Sequence, residues 1–213
     1  MIIPKKQNMI SKEYTVLEPF TRELWKGLTF KEVKALSQNK SDNYVHTILK
    51  KFVQGEILTE KKIGNVIEYV VSQTVFALNT IGYISEFKAN QAEHLPHKKI
   101  QRLISKIKTP FYCFLITGSY ARKKQKESSD LDVVVICDDT LKPSTILSQI
   151  KQEAELMIPE VHPYVFTKSE FLQMLLNEEE NYGKEVLKNN LLITGAKPFY
   201  SIVQEAIKNG FIG

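Results

Sequence analysis

The chain has 213 residues, 43% of them hydrophobic and 25% charged, a balance typical of a globular protein with room for two modest cores. Its apolar runs are far shorter than the roughly 20 residues that a membrane span needs. Lys5 and Lys6 leave no room for an apolar secretion signal before them, so we expect a cytoplasmic protein with no membrane partner. The net charge of +5 combines +8 in residues 1–110 with −3 in residues 111–213, which makes a polyanion the better partner for the first part.

Short elements with clear end signals are predicted at the start of the chain. A helix is expected over residues 14–25, ending before Gly27. Thr29 and Glu32 then form a capping-box pattern, in which each side chain accepts a hydrogen bond from the other residue's backbone N–H. This pattern predicts a second helix that runs to about Ser37.

A longer helix and a hairpin follow. Ser41 or Asp42 suits the N-cap of the helix, and Gly55 suits the left-handed residue that ends it. Residues 57–59 and 66–71 predict two strands joined by a polar, basic tip at residues 60–65. The core-facing side of the helix is expected to consist of the apolar residues at 3-and-4 spacing, namely Val45, Ile48, Leu49, Phe52 and Val53.

Helix, helix, turn, helix and two-stranded wing is an order that resembles the winged helix-turn-helix family over residues 11–72. The resemblance implies that the helix over residues 42–54 enters the major groove of double-stranded DNA while the wing lysines contact phosphates. A solvated surface on a domain that binds protein is the alternative explanation of these lysines. The residues expected to contact DNA are Asn43, Tyr44, His46, Thr47, Lys50, Lys51, Lys61 and Lys62.

Two further helices are predicted at residues 74–87 and 97–108, with a polar connection at residues 88–96. His94 and His97 in this connection have no partner at metal-ligand spacing, so we expect exposed loop histidines. Cys113 and Cys137 lie within apolar runs and are expected to be buried, reduced core residues.

A continuous apolar run at residues 111–117 predicts a buried strand, and Gly118 and Ser119 follow it directly. A glycine allows the backbone to approach a phosphate without a Cβ in the way. A helix that begins at Ser119 or Tyr120 would direct free N–H groups at that anion. The segment is therefore a candidate phosphate-binding turn.

Asp130 and Asp132 precede a second apolar run at residues 133–137. Because side chains alternate along a strand, the two carboxylates project on one face roughly 6.6 Å apart, while Leu131 points to the other. Mg²⁺ prefers carboxylate and phosphate oxygens, so this pair suits divalent ions that neutralise a triphosphate.

The combination of Gly118-Ser119, ten intervening residues and Asp130-Leu131-Asp132 resembles the minimal members of the polymerase-beta nucleotidyltransferase superfamily, over about residues 97–200. The resemblance implies that Gly118 and Ser119 hold the triphosphate and that Asp130 and Asp132 are catalytic and bind Mg²⁺ or Mn²⁺. An acceptor oxygen would attack the α-phosphate of ATP or another nucleoside triphosphate. Two more residues fit the surrounding nucleotide-binding pattern, Arg122 and Ser129, although Arg122 is also explained as an exposed helix arginine.

The chain departs from the family pattern at the third carboxylate. The position that we align with it, on a strand near residues 160–166, holds His162. Three interpretations stay open: Glu160 replaces the carboxylate in a shifted register, His162 acts as a catalytic base, or the site binds nucleotide without reacting. A structural histidine is the alternative to all three.

Together these predictions give an α+β protein. It comprises a winged helix-turn-helix DNA-binding domain at residues 1–75, a helical linker at 76–96 and an α/β nucleotidyltransferase domain with a mixed sheet at 97–213. The remaining elements expected in the last domain are helices over residues 144–157 and 202–208, a helix capped by Ser169, and an edge strand over residues 191–194.

The acceptor is the least constrained part of the prediction. Minimal nucleotidyltransferases of this kind resemble the antitoxin partners of HEPN toxins, which transfer AMP from ATP to a protein, while others modify aminoglycosides. A fused DNA-binding module favours a regulatory role over drug modification. An inactive nucleotide-sensing transcription regulator is the competing prediction. A DNA-binding protein whose second half forms a homodimer is the third.

Overall fold

A computed structural model describes residues 12–213. The chain divides into two compact units, one ending at Ile84 and the other comprising Ser85–Gly213. The part of the predicted DNA-binding domain before Lys12 lies outside the described residues, as do Lys5 and Lys6. None of the helices in residues 12–213 is long and apolar enough to cross a membrane.

The first unit opens with two 3₁₀ helices, Lys12–Val16 and Glu18–Thr21. The predicted α-helix over residues 14–25 is therefore wrong. Pro19 lies inside that stretch and has no N–H to donate, and its ring clashes with the carbonyl four residues earlier, so a continuous α-helix cannot form. The apolar side chains of this stretch are buried nevertheless, namely Val16, Leu17, Phe20 and Leu24.

Strand β1 (Leu28–Thr29) leads into α1 (Phe30–Leu36), and the predicted capping box is present. The Glu32 N–H donates to Thr29 Oγ1 at 3.3 Å, and the Thr29 N–H donates to Glu32 Oε2 at 2.8 Å. The Thr29 N–H and the Thr29 hydroxyl both donate to Glu32 Oε2, and these two hydrogen bonds lower the pKa of Glu32 because they favour its ionised form. The start of α1 is thus fixed by sequence-local interactions.

Helix α2 (Asp42–Gln54) has Ser41 as its N-cap. Of the five residues predicted to face the core, Val45, Ile48, Leu49 and Phe52 are buried and Val53 is half-buried. The predicted left-handed conformation is not at Gly55, whose φ is −84°, but at Glu56, whose φ is +56°. The helix itself ends at Gln54, as predicted, and only the left-handed residue lies one position later.

The predicted hairpin is formed by β2 (Leu58–Ile63) and β3 (Val66–Val71). Its turn is only Gly64 and Asn65, so the predicted six-residue tip is wrong and the wing lysines lie on β2 itself. Strand β1 pairs with β3, which gives an antiparallel sheet in the order β1-β3-β2. Helix α3 follows as Val75–Gln91.

The second unit is built on a four-stranded sheet in the order β6-β5-β4-β7. Strand β4 (Tyr112–Ile116) pairs antiparallel with β5 (Leu131–Cys137) and with the edge strand β7 (Leu191–Thr194). Strand β6 (Val161–Thr167) runs parallel to β5, so the sheet is mixed, as predicted. The connection between these parallel strands contains α6 (Pro143–Ala154).

The other helices of the second unit include α4 (His97–Ile104), α5 (Gly118–Ala121), α7 (Lys168–Leu176) and α9 (Ala196–Lys208). The predicted cap of α7 at Ser169 is wrong, because Thr167 caps it in a second capping box with Glu170. A short helix that the sequence did not predict, α8 (Tyr182–Lys188), begins after the N-cap Asn181.

The core of this unit includes alternating residues of β4 and β5, among them Phe114, Ile116, Val133 and Val135. Cys113 and Cys137 are free and buried, as predicted, and burial raises the pKa of Cys113 to about 12. The histidines are not exposed loop residues: Nε2 of His94 lies 3.0 Å from the Tyr120 carbonyl oxygen, and Nε2 of His97 lies 2.7 Å from that of Ala92.

Candidate nucleotide and cation site

The end of β4 and the start of β5 form one edge of the site. The Thr117 N–H donates to the Asp132 carbonyl oxygen, and the chain then turns at Gly118, whose φ is +64°. A Cβ at this position would overlap Oδ2 of Asp132. A glycine is therefore required at position 118 for two reasons: the backbone is left-handed there, and the Asp132 carboxylate occupies the space that a Cβ would fill.

The N–H groups of this turn are available to a ligand. Within residues 12–213, the N–H groups of Gly118, Ser119 and Tyr120 donate no hydrogen bond, whereas the Arg122 N–H donates to the Gly118 carbonyl oxygen. Helix α5 has four residues, so these local N–H groups, rather than a helix dipole, are what the turn offers a phosphate.

Asp130 and Asp132 lie on either side of Leu131, at the start of β5. Leu131 between them is fully buried, while the side chains of Asp130 and Asp132 are 45% and 28% exposed. Burial is the main cause that raises the pKa of Asp132; His162 acts against it and Asp130 adds to it. The Asp132 carboxylate is thus partly desolvated and close to a second carboxylate, an arrangement that a bound cation would stabilise.

His162 of β6 faces this pair. It is the register partner of Asp132 in the parallel β5–β6 ladder. Its Nδ1 lies 3.9 Å from Asp130 Oδ2 and 3.8 Å from Asp132 Oδ1, and its Nε2 lies 3.5 Å from Glu160 Oε1. Both groups considered for the third carboxylate position therefore reach the site, His162 from β6 and Glu160 from the residue just before that strand.

These donors fit a divalent cation. Asp130, Glu160 and His162 can each offer one ligand atom, and these atoms lie within 4.8 Å of one another. Carboxylate oxygens suit Mg²⁺ and Mn²⁺, and an imidazole nitrogen suits transition metals. An ion held here would neutralise phosphate oxygens beside the Gly118 turn.

The other predicted nucleotide-binding residues are placed differently. Arg122 forms an ion pair with Glu185 of α8, with Nη1 3.2 Å from Oε1. The Ser129 hydroxyl oxygen accepts from the Lys126 N–H at 2.8 Å, which closes the loop before Asp130. Ser129 therefore shapes this loop, while the ion pair with Glu185 engages one nitrogen of the Arg122 guanidinium and competes with a phosphate for it.

Sequence reasoning missed Tyr182, the first residue of α8. Its hydroxyl lies 3.3 Å from Thr117 Oγ1, next to the Gly118 turn, and its ring centroid is 4.9 Å from that of Tyr164. Burial, with the charge of Asp132 adding to it, raises the pKa of Tyr182 to about 12, so the hydroxyl stays neutral. The signal that could have located it is Asn181, whose side chain accepts from the Lys184 N–H as an N-cap.

The residues predicted to contact DNA lie on the surface of the first unit. On α2, Asn43, His46, Thr47 and Lys50 are exposed and Tyr44 is half-buried. The His46 ring stacks on Phe30 with centroids 4.1 Å apart. A further group of lysines is also exposed: Lys51, which pairs with Glu13 at 2.7 Å, and Lys61 and Lys62 on β2.

Comparison with known proteins is consistent with the site in the second unit. Residues 98–186 match the family model described as a nucleotidyltransferase domain. The matched residues include Gly118, Asp130, Asp132 and His162, so this match supports the predicted class, a nucleotidyltransferase whose substrate is a nucleoside triphosphate.

One solved structure, described as a toxin-antitoxin with AMP-PNP, is similar to the chain at 17% sequence identity and a TM-score of 0.40. The similarity covers 54% of this chain and 86% of that one. No curated protein matches the chain.

Proposed function

We propose that the second unit transfers a nucleoside monophosphate, AMP from ATP, to an acceptor in a Mg²⁺-dependent reaction. The observation that carries this proposal is the packing of Asp132 against Gly118. It places a carboxylate pair directly beside a turn whose N–H groups are available, so one compact site offers both anion and cation contacts.

The residues of the site have different roles, which follow from their chemistry. The N–H groups of Gly118 and Ser119 bind the triphosphate oxygens, and Asp130 and Asp132 hold the divalent ion, which supplies positive charge where phosphate charge develops. The acceptor oxygen forms a bond to the α-phosphorus, and the bond from that phosphorus to the bridging oxygen breaks to release pyrophosphate. Positioning and electrostatic stabilisation account for the rate, as in other phosphate transfers.

A second candidate function is a nucleotide sensor without turnover. The specific observation that favours it is His162, which lies where we align the third carboxylate and pairs in register with Asp132. A neutral imidazole can accept the acceptor's proton, which would keep the site active, but it supplies no negative charge to hold a second ion.

We further propose that the first unit is a winged helix-turn-helix that binds double-stranded DNA. The sheet order β1-β3-β2, with α1 and α2 between β1 and the hairpin, supports this. A catalytic unit joined to a DNA-binding unit fits a regulatory acceptor, a protein such as a HEPN-type toxin, and a homodimer suits a DNA site with two-fold symmetry.

The test is Mg²⁺-dependent ATP and GTP binding by calorimetry, with pyrophosphate release followed in the same samples. Asp130→Ala with Asp132→Ala should abolish both, because the ion loses its carboxylates. Glu178→Ala with Glu179→Ala is the matched control, since it removes two exposed carboxylates elsewhere in the second unit.

Binding and turnover that are lost only in the aspartate variant support the transferase. Binding without turnover in the wild type supports the sensor. Absence of nucleotide binding by the wild type would overturn both.

A further inference from the structure

The imidazole of His162 distinguishes this cation site from one made of carboxylates alone. Its two nitrogens face different groups: Nδ1 faces both aspartates at 3.8–3.9 Å, and Nε2 faces Glu160 at 3.5 Å. Each ring nitrogen therefore has its own nearest carboxylates.

The Nδ1 side brings oxygen donors of two residues together. Adjacent ligand atoms around an ion at about 2.1 Å are about 3 Å apart, so an ion at Nδ1 would draw the aspartate oxygens, which lie at 3.8–3.9 Å, closer to that nitrogen. Glu160, whose side chain is 75% exposed, has a carboxylate oxygen 3.5 Å from Nε2, the other ring nitrogen.

We propose that His162 Nδ1 is a cation ligand together with Asp130 and Asp132, and that Glu160 orients the ring by accepting a hydrogen bond from Nε2–H. The site consequently prefers a transition-metal ion that accepts an imidazole nitrogen, such as Mn²⁺ or Co²⁺, over Mg²⁺. This inference rests on the proposed function, because it assigns the cation of the same site.

The preference follows from ligand chemistry. Mg²⁺ is a hard ion that favours oxygen ligands and keeps its waters, so an imidazole adds little to its binding. For first-row transition metals at a site with nitrogen and oxygen donors, affinity rises from Mn²⁺ to Co²⁺. A carboxylate that accepts from the second ring nitrogen raises the basicity of a ligating histidine and fixes its orientation, and losing such a group commonly weakens metal binding about 10–100-fold.

The experiment measures metal binding by the full chain without nucleotide. Affinities for Co²⁺, Mn²⁺ and Mg²⁺ are determined by calorimetry, and Mn²⁺-loaded protein is studied by pulsed electron paramagnetic resonance for coupling to a nitrogen nucleus. The wild type should bind Co²⁺ and Mn²⁺ at least about tenfold more tightly than Mg²⁺ and should show nitrogen coupling.

Two variants of His162 distinguish the contribution of its nitrogen ligand to metal binding from that of an added negative charge. His162→Asp should lose the nitrogen coupling and bring the Mn²⁺ and Mg²⁺ affinities to within about threefold, because the site then offers only oxygen ligands. His162→Ala should lose the coupling and weaken binding of Mn²⁺ more than that of Mg²⁺. The His162 side chain is 42% exposed, and thermal unfolding of each variant checks that the fold is retained.

Variants of Glu160 test its role as a positioning residue. Glu160→Ala should weaken Mn²⁺ binding about tenfold while the nitrogen coupling remains. Glu160→Gln keeps an acceptor for Nε2–H and should restore most of the affinity; an equal loss in both variants would instead make Glu160 a direct ligand and overturn its assigned role.

Mn²⁺ bound without nitrogen coupling, or Mg²⁺ bound as tightly as Mn²⁺, would overturn the inference. If ATP binding and pyrophosphate release persist in that case, the proposed function stands. If neither metal nor ATP binds, both fail.

Discussion

The two units place their charged groups in opposite ways. In the first unit the candidate DNA contacts are spread over exposed positions of α2 and β2, and one of them, Lys51, is already paired with Glu13. In the second unit, residues from three separate segments converge at one end of β5. A dispersed surface loses its function gradually when single residues change, whereas a convergent site depends on every member.

The largest effect is expected at Gly118, where a glycine holds the convergent site together. Gly118→Ala should lower the rate of pyrophosphate release about a hundredfold, because the new Cβ displaces the Asp132 carboxylate and small displacements of catalytic groups cost that much. Pyrophosphate release under saturating ATP measures it.

Gly64→Ala is the matched control. Gly64 also has a positive φ, of +60°, but no atom lies within 4 Å of the position of its added Cβ. Both variants should lose about 1–2 kcal/mol of unfolding free energy from backbone strain, and only Gly118→Ala should lose activity. Full activity in Gly118→Ala would show that Asp132 can move without consequence.

A smaller effect is expected at the ion pair of α5 and α8. Arg122→Ala should weaken ATP binding about tenfold, the size of one charge-assisted hydrogen bond to phosphate. Glu185→Gln should strengthen ATP binding about threefold, because a charged carboxylate no longer competes with the phosphate for Arg122. The effect is small because exposed ion pairs are weak. Calorimetric titration with ATP checks both, and unchanged affinity in both variants would remove Arg122 from the nucleotide site.

On the candidate DNA-binding surface of the first unit, each substitution should weaken DNA binding only a little. Lys61→Ala with Lys62→Ala should reduce the slope of log affinity for double-stranded DNA against log salt by about 1.8, since each phosphate contact contributes about 0.9. Lys51→Ala should change the slope less, because Glu13 already neutralises that lysine. Fluorescence anisotropy at several salt concentrations measures the slopes; a slope that none of these substitutions changes would favour a protein-binding surface.

The smallest effects, on stability, are expected at the two capping boxes. Each unit contains one, so the same local motif can be compared in both. Thr29→Ala and Thr167→Ala should each destabilise its own unit by about 1 kcal/mol, the usual cost of losing such a cap. Thr80→Ala is the control, because that hydroxyl bonds only the Phe76 carbonyl within α3. Denaturant unfolding measures all three, and a cap variant as stable as the control would mean that packing alone sets the helix start.

Sequence-local signals predicted much of the fold. The Thr29–Glu32 capping box, the buried stripe of α2 and the strands on either side of Gly118 are fixed by neighbours a few positions away, so they could be inferred directly. The errors in the predicted elements arose where one residue changes the conformation that the rest of its segment favours. Pro19 prevents an α-helix, and Gly64 allows a turn of two residues where a longer tip was expected.

The site was only partly predictable for a related reason. Gly118, Asp130 and Asp132 belong to one motif, and the structure brings them together. The choice between Glu160 and His162 depended on the register of β6 against β5, which pairing across the sheet decides. Tyr182 lies on a helix of seven residues whose sequence has little apolar periodicity, so its contact with Thr117 is a product of tertiary packing.

The parallel pairing of β5 with β6 has a consequence for synthesis of the protein. Parallel neighbours need a crossover connection, so the aspartates leave the ribosome well before the strand that carries His162. A growing chain therefore displays two carboxylates but not the complete cation-holding arrangement. An ion that binds the closed sheet alone stabilises the finished domain by mass action and leaves the nascent chain unaffected, so metal supply would, if the site binds an ion as proposed, act on the mature protein rather than on its folding intermediates.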